Sequence, residues 1–459
     1  MAPADAPPVP RPPAAGGVTP SRVLAAEVLA DLRKGFLLDP SFERRAHALD
    51  ARDRRWAQEL LWGTLRRRGW LDALLAERVS GGLARLDADV IDLLRLGAYQ
   101  LLEMTSVPPY AAIAQTVELA KRRHGLGASK LVNAVLRRVE RDRTERGRDA
   151  LTGPAPADAR EAMAQRHSHP QWLVERWAER WADDEVEALL AANNREAPVV
   201  VRPWGLDADA LAAELTTAGV RLADPAPGTV WARGSLQLAP GASLTELGAY
   251  RQGHFFVQDP ASTLVTQYAA IPDGATVADL CAAPGGKALE LARRASAVFA
   301  GDRSFARLRR VVANLQRLGV RHMHVFAADA REPAVGPVDV ALIDAPCTGT
   351  GTFRRHPDAR WRLKPSDLAV MPALQRQILR AAAAVVRPGG LLVYSTCSLE
   401  AEENDAPVDD FLAAHPGWTF EPPPAGAVPD AVLDGGRLRV LPHRHGVDGA
   451  FAVRLRRAE

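Results

Sequence analysis

The chain reads as a multidomain protein: an all-α bundle, then a small α/β subdomain, then a doubly wound α/β domain with a mostly parallel sheet. Three observations carry this reading. Apolar residues recur at helical spacing from 21 to 139, the stretch 197–257 mixes strand and helix patterns, and from 258 onward strand, loop and helix alternate. With 459 residues, 47% of them hydrophobic, there is material for two or three buried cores.

Residues 1–20 are rich in Pro, Ala and Gly and lack an apolar core, so they are expected to be a disordered tail and not a signal peptide. Helical spacing begins with Val23, Leu24, Val28 and Leu29 and returns at Leu60, Leu61 and Leu65. It continues through Val90 to Leu101, Ile113 to Leu119 and Leu131 to Leu136. Gly81-Gly82, Pro108-Pro109 and Gly125 to Gly127 punctuate the run, which predicts a compact bundle of short helices over 21–139. Charged and then Pro/Ala-rich residues make 140–168 the expected linker. A small α/β subdomain is expected over 169–257. Its helical start carries Trp172, Trp177 and Trp181, and its strands are placed at Val199 to Arg202 and Val230 to Leu236.

In the last segment, 258–459, strands are placed at Thr276 to Cys281, Val298 to Gly301, His322 to Phe326, Val338 to Ile343 and Leu391 to Ser395. Helices are placed at Lys287 to Arg294, Phe305 to Leu318 and Leu374 to Val386. Arg437 to Leu441 and Phe451 to Leu455 form a closing hairpin-like pair. Such sheets bind ligands at the carboxyl ends of their strands. Cys281, Asp302, Asp329, Asp344 and Cys397 all fall there.

Net charge is +3, unevenly spread: residues 1–139 hold 21 Lys+Arg against 15 Asp+Glu, so the remainder sums to −3. A basic helical module suits a polyanion such as nucleic acid, although a solvated helical surface would look the same. Three cysteines leave an odd thiol and fit a reducing, cytoplasmic setting. No apolar run of about 18 residues is present, so no membrane contact is expected. Nothing demands more than a monomer.

The segment Cys281-Ala282-Ala283-Pro284-Gly285-Gly286-Lys287 is a turn between a strand and a helix, built for close approach of backbone to ligand. It is neither a P-loop nor Gly-x-Gly-x-x-Gly, which makes a nucleotide with a pyrophosphate a poor fit. Asp302 ends the next strand, 21 positions after Cys281, and can accept bonds from both ribose hydroxyls. Asp329 ends the third strand and could meet an adenine edge. Alone, either carboxylate could be a turn or cap residue. As an ordered set they point to a nucleoside cofactor without pyrophosphate, and S-adenosylmethionine (SAM) is the candidate.

Asp344-Ala345-Pro346-Cys347 follows a buried-type strand, and Ser395-Thr396-Cys397 follows the last strong one, so both thiols open on one rim. A single buried cysteine is usually packing; two beside a cofactor loop favour chemistry. Metal binding is disfavoured because no Cys-x-x-Cys exists and His322, His324 and His356 lack ligand spacing. A thiolate adding to carbon 6 of cytosine makes carbon 5 nucleophilic enough for methylation. Asp344 could bond the cytosine amino group and ring nitrogen. The base must be unstacked to be reached.

These segments, with Gln258-Asp259-Pro260-Ala261-Ser262, resemble the RsmB/Sun family of RNA cytosine-5 methyltransferases. The resemblance implies a doubly wound, Rossmann-like SAM methyltransferase domain over 258–459 and a small RNA-binding-like subdomain before it. It implies that Cys397 is the nucleophile and that Cys347 aids product release; DNA cytosine-5 methyltransferases use the Pro-Cys thiol, which leaves Cys347 the rival nucleophile. It implies SAM contacts from Cys281 to Lys287, Asp302 with Arg307, Asp329 and Asp344. The first module resembles the NusB fold, carried by Pro108, Ala111 to Lys121 and Asn133 to Arg137, and this fusion implies 16S rRNA or a small-subunit precursor as substrate. Where the family often ends Asp-Gly-Phe-Phe, this chain has Asp448-Gly449-Ala450-Phe451, expected to loosen at most a packing contact. Two other readings compete: an RNA-binding antitermination scaffold, against which the intact loop, thiols and carboxylates argue, and a small-molecule methyltransferase, for which the basic module and the second thiol have no purpose.

Overall fold

The computed structural model describes residues 17–459, which divide into two compact units, one of residues 17–187 with 356–361, the other of 188–355 with 362–459. Residues 1–16 of the expected tail lie outside the described residues; helix already starts at Pro20.

The first unit is helical: Pro20–Arg33, Leu38–Ala46, Ala51–Arg66, Arg68–Ala76, Ala88–Leu102, Pro109–Arg146, Ala159–Arg166 and Gln171–Ala178. Asp50 caps the third helix by accepting from the Asp53 N–H at 2.7 Å. Leu24, Val28, Leu60, Leu61, Leu71, Leu74, Leu93, Leu94, Val132 and Leu136 are buried in one cluster, as helical spacing requires. The long helix kinks at Gly125, whose φ of 79° only glycine adopts freely, so the expected break there exists. The expected linker 140–168 needs correction. It holds the end of the long helix and a further helix capped by Asp158, and Leu151 is buried in the bundle core. Its charges lie on exposed faces, which is why it resembled a linker.

In the second unit, β1 (Val199–Pro203), β2 (Leu222–Ala223), β3 (Leu236–Leu238) and β4 (Phe255–Val257) form an antiparallel sheet in the order β2-β3-β1-β4. The strand expected at Val230 to Leu236 starts later, because Gly234 turns the chain at φ 77° and the Trp231 indole N–H bonds to Ser235 O. Val201, Leu211, Leu215 and Phe255 make the small core.

The larger sheet contains β5 (Thr276–Asp279), β6 (Ala297–Asp302), β7 (Met323–Ala327), β8 (Val338–Asp344) and β9 (Val386–Thr396). It closes with β10 (Trp418–Phe420), β11 (Leu433–Asp434), β12 (Arg437–Val440) and β13 (Ala450–Arg457). Its order is β11-β12-β13-β9-β8-β5-β6-β7, with β10 on β13. The strands β7-β6-β5-β8-β9 run parallel and β13 antiparallel beside β9. Order reverses at β5, leaving a crevice between the carboxyl ends of β5 and β8 where such folds bind ligands. The first helix after β5 is joined to the small sheet by a buried Arg202–Glu290 pair at 2.7 Å.

Candidate active site

Chain direction alone brings three loops to the carboxyl edge. After β5, the turn 281–285 leads into the helix Gly286–Ala292. Gly285 has φ +107°, and a Cβ there would stand 3.3 Å from Val311. A Cβ on Gly286 would stand 3.2 Å from Gln258 Nε2, a buried atom without a hydrogen-bond partner. Ala282 N–H bonds to Gly301 O at 2.8 Å, which ties the turn to β6. Asp302, buried at the end of β6, accepts from Ser304 N–H at 2.8 Å and faces Arg307 at 3.2 Å. Arg307 also donates to Ala283 O. Asp329 follows Ala328, whose N–H bonds to Asp302 O at 3.3 Å. It lies past the end of β7 and is taken up by Arg331 (Nη2 at 2.7 Å, N–H at 2.9 Å), which draws its pKa down to about 2.

Lys287 reaches from the helix to Asp344 Oδ2 at 2.7 Å. Burial alone would depress the Lys287 ammonium; Asp344 first, then Cys397 and Asp279, outweigh it and hold the group above its ordinary value. Asp344 also accepts from Ser395 Oγ at 3.2 Å.

The two thiols meet. Cys347 Sγ lies 3.3 Å from Cys397 Sγ, and both are free and partly exposed. The bond with Cys397, then burial, push the Cys347 thiol well up, and nearby Glu403 adds to this. Cys281, on the turn after β5, is likewise a raised thiol, held up by burial and then by Asp279 and Asp344.

Three groups escaped the sequence reading. Asp279 is fully buried two residues before Cys281, and its Oδ2 has no hydrogen-bond partner. Burial and then Asp344 push its pKa up to about 7, with Lys287 opposing. Glu403 is buried behind both cysteines, masked in sequence by the acidic run 400–405. Asp448 is a bracing group: with Asp259, which caps the helix Pro260–Ala269, it pairs Arg354 and Arg355 of the segment that follows Cys347. The Asp448-Gly449 signature was read only as packing; its glycine N–H bonds to Gly351 O at 2.7 Å, and Gly351 N–H to Cys397 O at 2.9 Å. Among the described residues no group of three or more His, Cys, Asp or Glu could hold a metal, and no helix is long and apolar enough to cross a membrane.

A Rossmann-like methyltransferase fold, with an all-α module and a small α/β subdomain before it, is the class these features define. The family model for 16S rRNA methyltransferase RsmB/F matches residues 267–456, the NusB family 19–141, and the ferredoxin-like domain of RsmF/B-like methyltransferases 169–228. Ribosomal RNA small subunit methyltransferase B of Thermus thermophilus is 36% identical, covering 95% of this chain and 97% of the relative. Its namesake in Pseudomonas syringae is 34% identical over 95% and 96%. The crystal structure of PH0851 matches with TM-score 0.78 at 25% identity, covering 96% of this chain and 99% of that one. The chain belongs to the RsmB family of ribosomal RNA small subunit methyltransferases.

Proposed function

We propose that this protein methylates carbon 5 of a cytosine in 16S rRNA, using SAM, through a covalent bond between Cys397 and carbon 6. The observation that carries the reading is the 3.3 Å approach of two thiols at the ends of β8 and β9, beside the Lys287–Asp344 pair. Small-subunit rRNA as substrate is supported by the names of the relatives and by the NusB-family module.

The residues present suit SAM. The turn 283–286 is tight, with Gly285 at φ +107° and a Cβ on Gly286 only 3.2 Å from Gln258, Asp302 offers a buried carboxylate at a strand end, and Gln258 Nε2 and Asp279 Oδ2 are buried polar atoms without partners. Cys281 to Lys287, Asp302, Arg307 and Asp344 would hold the cofactor. Asp329 would join them, since Arg331 fills only one acceptor position of its Oδ2. When bound, SAM supplies an electrophilic methyl group on a sulfonium. Cys397, as thiolate, adds to carbon 6 and makes carbon 5 nucleophilic. Asp344 accepts from the amino group of the base and, as the carboxylic acid, donates its proton to the ring nitrogen, where charge builds as the thiolate adds; Lys287 holds one of its oxygens. For release, water takes the carbon 5 proton, the electron pair of that bond re-forms the carbon 5–carbon 6 double bond, and the Cys397 sulfur leaves as thiolate while the Cys347 thiol beside it donates a hydrogen bond to it.

Tritium transfer from labelled SAM to 16S rRNA tests the activity, and bisulfite mapping finds the position. Cys397→Ala should lower the rate by at least about a thousandfold and form no adduct. Cys347→Ala should accumulate a protein–RNA adduct stable to denaturation. The reverse pattern would exchange the two roles, and no transfer to any RNA would leave the scaffold reading.

A further inference from the structure

The residues after Cys397, Ser398-Leu399-Glu400-Ala401-Glu402-Glu403-Asn404, have the composition of a solvated stretch. The fold buries Glu403 completely and gives each of its oxygens two donors. Oε1 accepts from Thr348 N–H at 2.9 Å and from Gln375 Nε2 at 3.0 Å. Oε2 accepts from the hydroxyls of Thr348 and Ser398. Gln375 Nε2 also donates to Pro346 O at 2.9 Å. One carboxylate and its amide partner therefore hold the residues on both sides of Cys347 and the residue after Cys397. Tyr394 donates to Glu403 O at 2.6 Å, which fixes the carboxylate's own backbone to β9.

These contacts are not evenly shared. The loop of Cys347 depends on them through Thr348 N–H, Thr348 Oγ1 and Pro346 O. Otherwise the Cys347 loop is tied by backbone at its ends, Ala345 N–H on Ser395 O at 2.8 Å and Gly351 N–H on Cys397 O at 2.9 Å, whereas the loop of Cys397 has anchors at the next residue: Ser398 N–H on Thr396 Oγ1 at 3.1 Å and Asn404 Nδ2 on Ser398 O at 2.9 Å. The geometry points to Glu403 as the positioning residue of the two-thiol centre: it sets where Cys347 stands relative to Cys397, and so governs release of the methylated base more than its capture. The inference rests on the assignment of Cys397 as nucleophile and Cys347 as the release thiol. Its charge acts in the same sense, since a buried anion beside Cys347 disfavours the thiolate there.

Glu403→Gln keeps the shape, removes the charge and sets an amide N–H against donors. With SAM and 16S rRNA it should accumulate covalent protein–RNA adduct on a denaturing gel. Its kcat should fall by about 10–100-fold, the loss expected of a misplaced group, with KM for RNA changed less. In the free protein, alkylation of Cys347 by iodoacetamide, mapped by mass spectrometry, should reach half-maximum at lower pH than in the parent. Thr348→Val should shift adduct and kcat in the same direction, and Thr348→Ser, which keeps the hydroxyl, should restore both. If Cys347→Ala traps no adduct, the thiol assignment fails and this inference with it. If Cys347→Ala traps adduct but Glu403→Gln and Thr348→Val do not, Glu403 is a brace and the inference alone is overturned; an unchanged alkylation profile in Glu403→Gln says the same. Should Glu403→Gln not fold, the Thr348 pair decides on adduct and kcat.

Discussion

Asp279 ends β5 with its carboxyl group buried and one oxygen unpartnered, so folding takes it out of water at a cost. Its folded-state pKa, about 7, lies above the ordinary carboxyl value of 3.8. Below pH ~4 both folded and unfolded chains bind the proton, and the group's contribution to stability is whole. That contribution is lost as pH climbs through about 7, by roughly 4 kcal/mol over about three units. Asp279→Asn cannot ionise, so its melting temperature relative to the parent should rise between pH 5 and pH 8. A difference that is flat or falls with pH would remove the buried carboxyl from the account. At this scale the sequence was informative where turn chemistry dictates position. Gly285 turns the chain at φ +107° after β5, Asp302 and Asp344 end β6 and β8, and both thiols follow strands. Asp279 and Glu403 were hidden because burial of a single carboxylate is decided by tertiary packing, which neither period nor spacing encodes. The Arg331 partner of Asp329, two residues on, is likewise outside what strand-end placement shows.

Strands β8 and β9 deliver the thiols, but the segment that follows Cys347 holds the arrangement. Gly351 lies in the short turn Thr350–Thr352, wedged between two other backbones. A Cβ on it would stand 2.7 Å from Cys397 O and 2.7 Å from Gly449 Cα, and neither can yield as a side-chain tip could. Gly351→Ala must therefore stretch the bonds that join Gly351 to Cys397 and Gly449. Such overpacking costs about 1–3 kcal/mol, and a displacement near 1 Å at the nucleophile is worth on the order of a hundredfold in rate. The expected variant is folded, melts slightly lower and has lost about 10–100-fold of its methyl-transfer rate. Parent-like kinetics would show that Cys397 is positioned by other means. The five parallel strands were legible because buried strands are continuous apolar runs between turn residues. Less legible were β2 and β3, two and three residues long, whose pairing and not their composition makes them strands.

At the scale of the whole molecule, alternation of periods separated a helical start from a doubly wound end, but could not show that the helical unit borrows residues from far along the chain. Residues 356–361 belong to it. Arg360 is fully buried there, with Nη1 3.3 Å from Ser168 O. His356 meets Asp39 at 2.9 Å, and the Trp361 indole N–H donates to Leu65 O at 2.8 Å beneath the Arg68 guanidinium, 5.1 Å from the ring. Sequence offers no signal for this, since a six-residue segment has no period and its partners are some 190 to 320 positions away. The energetic consequence is specific to one unit. Trp361→Ala removes a hydrogen bond, a cation–π contact and apolar area, together about 2 kcal/mol or more. For a unit of this size that is a fall of roughly 4–8 °C in its unfolding temperature. Hydrogen exchange should register the loss first in the helix Ala51–Arg66, which carries Leu65, while the amides of β5 and β8 keep their protection. Equal loss of protection in both places would mean that the chain unfolds as one cooperative body; no loss in the helix would mean that the indole contributes nothing to it.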